Sequence, residues 1–336
     1  MKAIVYREYG SPDVLKCEEI EKPVPRDDEV LLKVRAASVN PLDWRLMKGG
    51  PLLMRLFLGL TKPRLGRPGV DVAGEVEAVG GNVTQFKPGD AVFGASRGTL
   101  AEYACTKASK LAMKPDNVTF EQAASLAVAG STALQGLRNH GKIQQGSKVL
   151  INGAAGGVGT FAVQIAKIFG AEVTGVCSSR NVDMVRSIGA DEVIDYTQRD
   201  FTSSDPSNNP SNNQRYDLIF DCVGNHSFSE FRRVLNPDGK VVPIGAPHDA
   251  SVMGLLASMI KTVVLSALGS QKAVMFIAKA NQNDLAQLGQ LIAEGKLKPV
   301  IDRRYSLSEA SEALRYLEEG HARGKVIITL DGAEET

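Results

Sequence analysis

Thiol and imidazole side chains, the usual zinc ligands, are scarce in this chain: its 336 residues include four cysteines and four histidines. Cys17, Cys105, Cys177 and Cys222 stand far apart, which excludes a C-x-x-C pair and a disulfide framework. His140, His226, His248 and His321 are equally scattered, so solvated or core roles suit them better than ligation, and no metal is expected. Free thiols fit a reducing compartment, and the expected location is cytoplasmic. Charge of one sign is also lacking. With a net charge of +1 nothing suggests a nucleic-acid surface, so no nucleic-acid partner is expected. The opening MKAIVYREYG carries Arg7 and Glu8 early and does not read as a signal peptide. One stretch, 250–269, has membrane-spanning length, but Lys261 lies near its middle. It reads as a buried helix with its neighbouring segment, or as an oligomer surface, rather than a membrane contact.

Glycine, by contrast, is plentiful, with 33 residues, and one cluster organises the rest of the chain. In the stretch 148–170, KVLINGAAGGVGTFAVQIAKIFG, the unbroken apolar run Val149-Leu150-Ile151 suits a parallel strand buried on both faces. Gly153, Gly156, Gly157 and Gly159 follow. From Val158 the apolar spacing turns helical through Phe161, Ala162, Ile165, Ala166 and Phe169, and Gly170 stands where a C-terminal cap belongs. A strand, glycine turn and helix allow backbone N–H groups to meet a pyrophosphate with no side chain in the way. A second strand, 172–177, ends about 20 residues past the glycines, the spacing of a nucleotide-binding βαβ unit. NAD enzymes place an acid there for the ribose 2′-hydroxyl. This chain has Cys177-Ser178-Ser179-Arg180-Asn181, with no carboxylate until Asp183. Hydroxyls, a guanidinium and an amide can donate to a 2′-phosphate, so the expected cofactor is NADP(H).

The remaining chain divides by texture. Up to about residue 118 it shows short alternating strands with frequent turns: two around Gly10-Ser11-Pro12-Asp13, then 29–37, 69–79 and 90–94. On the strand 29–37, Val30, Leu32 and Val34 share one face. An apolar and basic covering loop interrupts them at 49–67. TFEQAASLAVAGSTALQGL reads as one helix from Thr119, with Gln122 completing a capping box. Strands and helices then alternate, as in a doubly wound parallel sheet, with helices near 181–187 and 227–235 and strands at 192–195, 218–221 and 240–244. The polar stretch 202–214 is a surface loop. Helices at 283–294 and 308–319 and a strand at 325–330 are too few for a third domain, so they should complete the first.

These segments carry a set of motifs in fixed order. They are Ser38-Val39-Asn40-Pro41-Leu42-Asp43, Gly69-Val70-Asp71-Val72-Ala73-Gly74, Phe86-Lys87-Pro88-Gly89-Asp90, Asn152-Gly153-Ala154-Ala155-Gly156-Gly157-Val158-Gly159, the run 189–196 (GADEVIDY), and Gly295-Lys296-Leu297-Lys298-Pro299. In this the chain resembles the zinc-free quinone oxidoreductase branch of the medium-chain dehydrogenase/reductase (MDR) superfamily, essentially from end to end.

The resemblance implies an α/β protein. A Rossmann doubly wound parallel sheet at 124–280 would join a GroES-like, mainly-β catalytic domain at 1–123, completed by 281–336. It implies a homodimer, and a small, hydrophobic, electron-poor substrate. Asn40 and Asp43 would lie at the nicotinamide end, although Asp43 also reads as a helix N-cap. The nucleotide contacts would be Thr132, Gly153, Ala155, Gly156, Gly157, Val158, Ser178, Ser179, Arg180, Asn181, Tyr196, Val223, Gly245 and Lys325. Zinc-dependent relatives have a cysteine where Asn40 stands and Gly-His-Glu where Gly69-Val70-Asp71 stands. The implied activity is NADPH-dependent hydride transfer to a quinone or an α,β-unsaturated carbonyl. Pro51 stands where many quinone reductases have a tyrosine, which leaves the proton donor open. Alternatives are an acyl-thioester (enoyl) reductase and a non-catalytic nucleotide-binding homologue.

Overall fold

A computed structural model describes residues 1–50, 55, 59–64, 66–203, 214–245 and 261–330. Pro51 and part of the covering loop, most of the polar loop 202–214, His248 and the first half of 250–269 lie outside the described residues. The chain forms two compact units, 1–131 with 279–295 and 299–336, and 132–278 with 296–298.

The first unit is mainly β. Strands β1 (Lys2–Val5) and β2 (Lys16–Glu19) form an antiparallel pair. The long strand β3 (Glu29–Val39) is the centre of a larger sheet. It pairs antiparallel with β4 (Asp71–Val79) and with β6 (Tyr103–Lys107). The sheet continues from β4 through β5 (Ala91–Ala95) to β7 (Leu111–Met113). Val30, Leu32 and Val34 share one core with Val72, Val76, Phe86 and Val92, as strand alternation predicts. Ala37 and Val39, out of phase with them, face a second core built on Trp44 and Met47. Those two residues belong to helix α1 (Pro41–Met47), which follows β3 directly.

The expected single helix from Thr119 is two. Thr119 caps α2 (Phe120–Ala124) through the predicted box: its Oγ1 accepts from the Gln122 amide at 3.2 Å, and the Gln122 side chain accepts from the Thr119 amide at 3.0 Å. A turn then separates α2 from α3 (Ala129–Gln135). The cause is a competing acceptor, because the Val128 amide donates to Asp71 Oδ1 at 2.7 Å.

The second unit holds the glycine turn. Its strands are β8 (Lys148–Asn152), β9 (Glu172–Cys177), β10 (Glu192–Asp195), β11 (Tyr216–Asp221), β12 (Leu235–Pro243) and the two-residue β13 (Lys272–Ala273). They lie in the order β10-β9-β8-β11-β12-β13, all parallel. This is the doubly wound sheet expected, and its strand order reverses between β8 and β11. Val149, Leu150 and Ile151 are fully buried. Helix α4 (Gly157–Ile168) buries Phe161, Ala162, Ile165 and Ala166 as its spacing predicts, and Gly170 ends it at φ +76°. Helices α5 (Val182–Ser187) and α6 (Phe228–Val234) complete this unit's alternation. Past β13 the Val274 amide still donates to the Val241 carbonyl of β12 at 2.8 Å, and Phe276 stacks on His140 at 4.2 Å between ring centroids.

The chain then returns to the first unit through α7 (Gln282–Ala293), β14 (Ile301–Ser306), α8 (Ala310–Glu318) and β15 (Lys325–Thr329). Strand β15 pairs antiparallel with the end of β3. Among the described residues no helix is long and apolar enough to cross a membrane.

Candidate functional site

In the second unit, the expected nucleotide residues gather where the strands end. Gly153 follows β8, Ser178 follows β9, Tyr196 follows β10, Val223 lies just past β11, and Gly245 lies just past β12. In an open parallel sheet this carboxyl edge, at the point where strand order reverses, is the place for a nucleotide.

The glycines of the turn have different reasons for being glycine. Gly153 adopts φ +80°, and a Cβ there would meet Val223 Cγ2 at 2.7 Å. A Cβ on Gly159 would lie 2.1 Å from the Gly153 carbonyl oxygen, so helix and strand pack there at backbone distance. Gly156 is unlike both. It caps α4 at φ −82° and ψ 177°, which any residue adopts, and its Cβ would meet nothing closer than 3.5 Å. The fold therefore does not require glycine at 156. The open face over that position, beside the N-terminus of α4, fits a pyrophosphate approaching the backbone amides. Gly157 and Val158 form the first turn of that helix, and Ala155, buried, precedes them. Gly245 has a packing reason of its own, since a Cβ would lie 2.4 Å from the backbone of Cys222 and Val223.

The loop after β11 is held from below. Asp221 Oδ1 accepts from the amides of Val223 and Gly224, both at 3.1 Å, and from Asn152 Nδ2 at 2.8 Å. Burial pushes the Asp221 carboxyl up, while these donors pull it back. Val223 is thereby presented with 40% of its surface open. Asn152 opens the glycine motif, but nothing in the sequence links it to Asp221. Only the adjacency of β8 and β11 joins them.

At the ends of β9 and β10, the expected donor turn carries an acid after all. Ser178 and Asn181 are joined by a hydrogen bond from Asn181 Nδ2 to Ser178 Oγ at 3.1 Å, and Tyr196 is 59% exposed. Ser179 Oγ, however, donates to Asp195 Oδ2 at 2.5 Å, and Thr197 Oγ1 donates to Asp195 Oδ1 at 2.7 Å. Desolvation would raise the Asp195 carboxyl, but the bonds from Ser179 and Thr197 outweigh it and hold it low, so it is ionised near neutrality. The reading that no carboxylate lies at this corner is corrected. The acid comes from the neighbouring strand, where Asp195 registers with Cys177. Thr132, at 8% exposure, lies within α3.

In the first unit, Asn40 and Asp43 sit together at the β3–α1 junction, both nearly buried. Asn40, not Asp43, is the N-cap residue of α1. Asp43 lies one turn in, where Oδ2 accepts from the Asn40 amide at 2.7 Å and Oδ1 from the Gly69 amide at 3.0 Å. Burial pushes the Asp43 carboxyl up to about 7, with those two N–H bonds pulling against it. Lys325, expected among the nucleotide contacts, has its ammonium at this junction. Its Nζ donates to Asn40 Oδ1 at 2.7 Å and to Asp71 Oδ2 at 3.1 Å. Among the described residues no group of three or more His, Cys, Asp or Glu is placed to hold a metal ion.

The alcohol dehydrogenase GroES-like domain matches residues 26–116, and a family described as zinc-binding dehydrogenase matches 188–328. The chain is 36% identical over 339 residues to a chloroplast envelope quinone oxidoreductase homolog of Arabidopsis thaliana, covering 98% of each. It is 34% identical to an NADPH-dependent alkenal/one oxidoreductase of the same plant, over 98% of this chain and 79% of that protein. A solved quinone oxidoreductase from Coxiella burnetii superposes with a TM-score of 0.84 at 33% identity, covering 98% of this chain and 99% of that one. Sequence, strand order and glycine turn agree, and the chain belongs to the quinone oxidoreductase branch of the medium-chain dehydrogenase/reductase superfamily.

Proposed function

We propose that this protein is an oxidoreductase that uses NADPH to reduce quinones or α,β-unsaturated carbonyls without a metal. The observation that carries the reading is the opening over Gly156. Glycine is not needed there by the fold, and it stands at the switch point of a doubly wound sheet. Relatives named quinone oxidoreductase and NADPH-dependent alkenal/one oxidoreductase supply the acceptor class and the cofactor.

The residues fit such a cofactor. The amides that open α4 would hold its pyrophosphate, Ser178 and Arg180 its 2′-phosphate, and Tyr196 would flank that group. When bound, the cofactor supplies a hydride; the protein supplies placement, since an electron-poor C=C or quinone accepts hydride without Lewis-acid help. Asn40, at the position of the first zinc ligand in zinc-dependent relatives, has the Lys325 ammonium against its Oδ1. The proposal places Asn40 and Asp43 at the reacting end.

The test is a substrate screen that follows NADPH absorbance with a simple quinone and a short enone, before and after dialysis against a chelator. Turnover of at least one, unchanged by chelation, is expected. No turnover of either, or activity that tracks stoichiometric zinc, overturns the reading. Val263, Val264, Leu268, Met275 and Ile277 leave an exposed apolar surface next to the edge strand β13, and the proposal assigns it to a second copy of the chain. Sedimentation as a monomer at micromolar concentration would refute that part.

A further inference from the structure

The side chain of Asn40 has one carbonyl oxygen and two amide protons, and the first unit engages both ends of it. Oδ1 accepts from Lys325 Nζ at 2.7 Å; Nδ2 donates to Asp71 Oδ2 at 2.9 Å and, at 3.4 Å, to the Ser38 carbonyl. Asp71 is itself saturated, with Ser38 Oγ donating to Oδ2 at 2.5 Å and the Val128 amide to Oδ1 at 2.7 Å. Ser38, Asn40, Asp71 and Lys325 are each at most 4% exposed.

The arrangement is directional. Turning the Asn40 amide by half a revolution would aim its NH2 at an ammonium and its oxygen at a carboxylate, so two attractions would become two repulsions. An ion pair this deep is a poor way to stabilise a fold, because each charge gives up hydration that well-packed apolar side chains would not. Its distinctive product is one fixed amide orientation.

We propose that Lys325 is a positioning residue, which with Asp71 locks the amide of Asn40 so that only the second lone pair of Oδ1 remains for a bound partner. Asn40 then acts at the reacting end as an acceptor, toward an N–H or O–H group. It does not donate to the oxygen of a quinone or enone. This deepens the functional reading above and rests on its placement of Asn40.

Replacing Lys325 alone would strand the Asp71 charge and confuse folding with function. The informative variant is therefore the pair Lys325→Met with Asp71→Asn, which removes both charges and frees the amide to take either orientation. Two readouts separate the claims. The side-chain NH2 signals of Asn40 in 15N-labelled protein, assigned by their loss in Asn40→Ala, require no turnover. They should be dispersed and protected in the parent, and averaged or shifted in the pair. In turnover, the pair should lose about tenfold in kcat, on the scale of a misplaced reacting group, while melting temperature and NADPH affinity stay near the parent values. Adding Asn40→Ala to the pair should then cost nothing more.

Unchanged Asn40 signals in the pair overturn the proposal, and so do parent kcat or losses that multiply on adding Asn40→Ala. A parent protein that turns over neither acceptor defeats the functional reading instead, and the amide signals still decide the orientation. Should the pair not fold, Lys325→Arg carries the test. It keeps the charge beside Asp71 but moves the donors, so the Asn40 signals and kcat should shift while NADPH affinity holds, and parent values for both overturn the proposal.

Discussion

Exchanging Gly156 for alanine separates what the fold needs from what a nucleotide needs. The backbone at 156 lies at φ −82° and ψ 177°, open to alanine, and the new methyl would meet the Gly153 carbonyl oxygen at an ordinary 3.5 Å. Two small effects on stability oppose each other. Fewer unfolded conformations favour Gly156→Ala by about 0.4–1 kcal/mol. Alanine is a poorer N-cap than glycine, by an amount on the order of 0.5 kcal/mol. The melting temperature should therefore move by only a few degrees.

Binding should respond quite differently. The methyl stands on the face from which a pyrophosphate would reach the amides of α4, and a retreat of the phosphate by one methyl radius breaks at least one charge-assisted bond. Such a bond is worth about 1.5–3 kcal/mol, or roughly a ten- to hundredfold rise in Kd. Gly159→Ala is the contrasting case. Its Cβ would sit 2.1 Å from a backbone oxygen, so it should lose stability and binding together. Titration of NADPH by fluorescence, run beside thermal melts of both variants, decides the matter. Parent NADPH affinity in Gly156→Ala would refute the placement of the pyrophosphate, as would a drop in melting temperature large enough to explain the lost binding.

Three further outcomes follow from named residues. Arg180→Ala should weaken NADPH by roughly ten- to a hundredfold, the scale of one bond between charged groups, and leave NADH nearly unchanged; equal losses in paired titrations would count against its 2′-phosphate role. Asp195→Asn removes a carboxylate beside Ser179 and should shift the NADPH:NADH ratio of kcat/KM several-fold toward NADPH, because like charge is taken away from the corner where a 2′-phosphate would sit; a ratio unchanged or shifted toward NADH would contradict that. Asp43, pushed up to about 7 from an ordinary carboxylate value near 4, binds a proton more tightly folded than unfolded. That contribution is complete below about pH 4 and is lost as pH rises through about 7, so Asp43→Asn should flatten the fall in melting temperature over that window, and parallel pH profiles for parent and variant would show that Asp43 does not titrate there.

The parts of this protein that were legible in its sequence depend on neighbours along the chain. The strand–turn–helix at 148–170, the alternation of Val30, Leu32 and Val34, the box at Thr119 and the cap at Gly170 all follow from spacings of a few residues, and the structure has each of them. What escaped local reading depends on pairs remote in sequence. The helix expected from Thr119 is interrupted because Val128 donates to a carboxylate 57 residues earlier. Asp195 reaches the corner at Ser179 only because β10 lies beside β9.

Asn40 shows the same limit at the candidate site. Its amide, seen alone, offers a donor and an acceptor, and nothing near it in the sequence says which of them a ligand would meet. The answer lies 285 residues away, in an ammonium carried to it by the pairing of β15 with β3. Topology thus turns a two-sided side chain into a one-sided one. It does so with a cation of the protein's own, at a position where zinc-dependent relatives hold a metal ligand. A lysine ammonium has no vacant coordination site, so it cannot bind a substrate carbonyl directly as zinc does; here two of its N–H groups are engaged by Asn40 and Asp71. An acceptor that takes hydride without Lewis-acid help suits a site organised in this way.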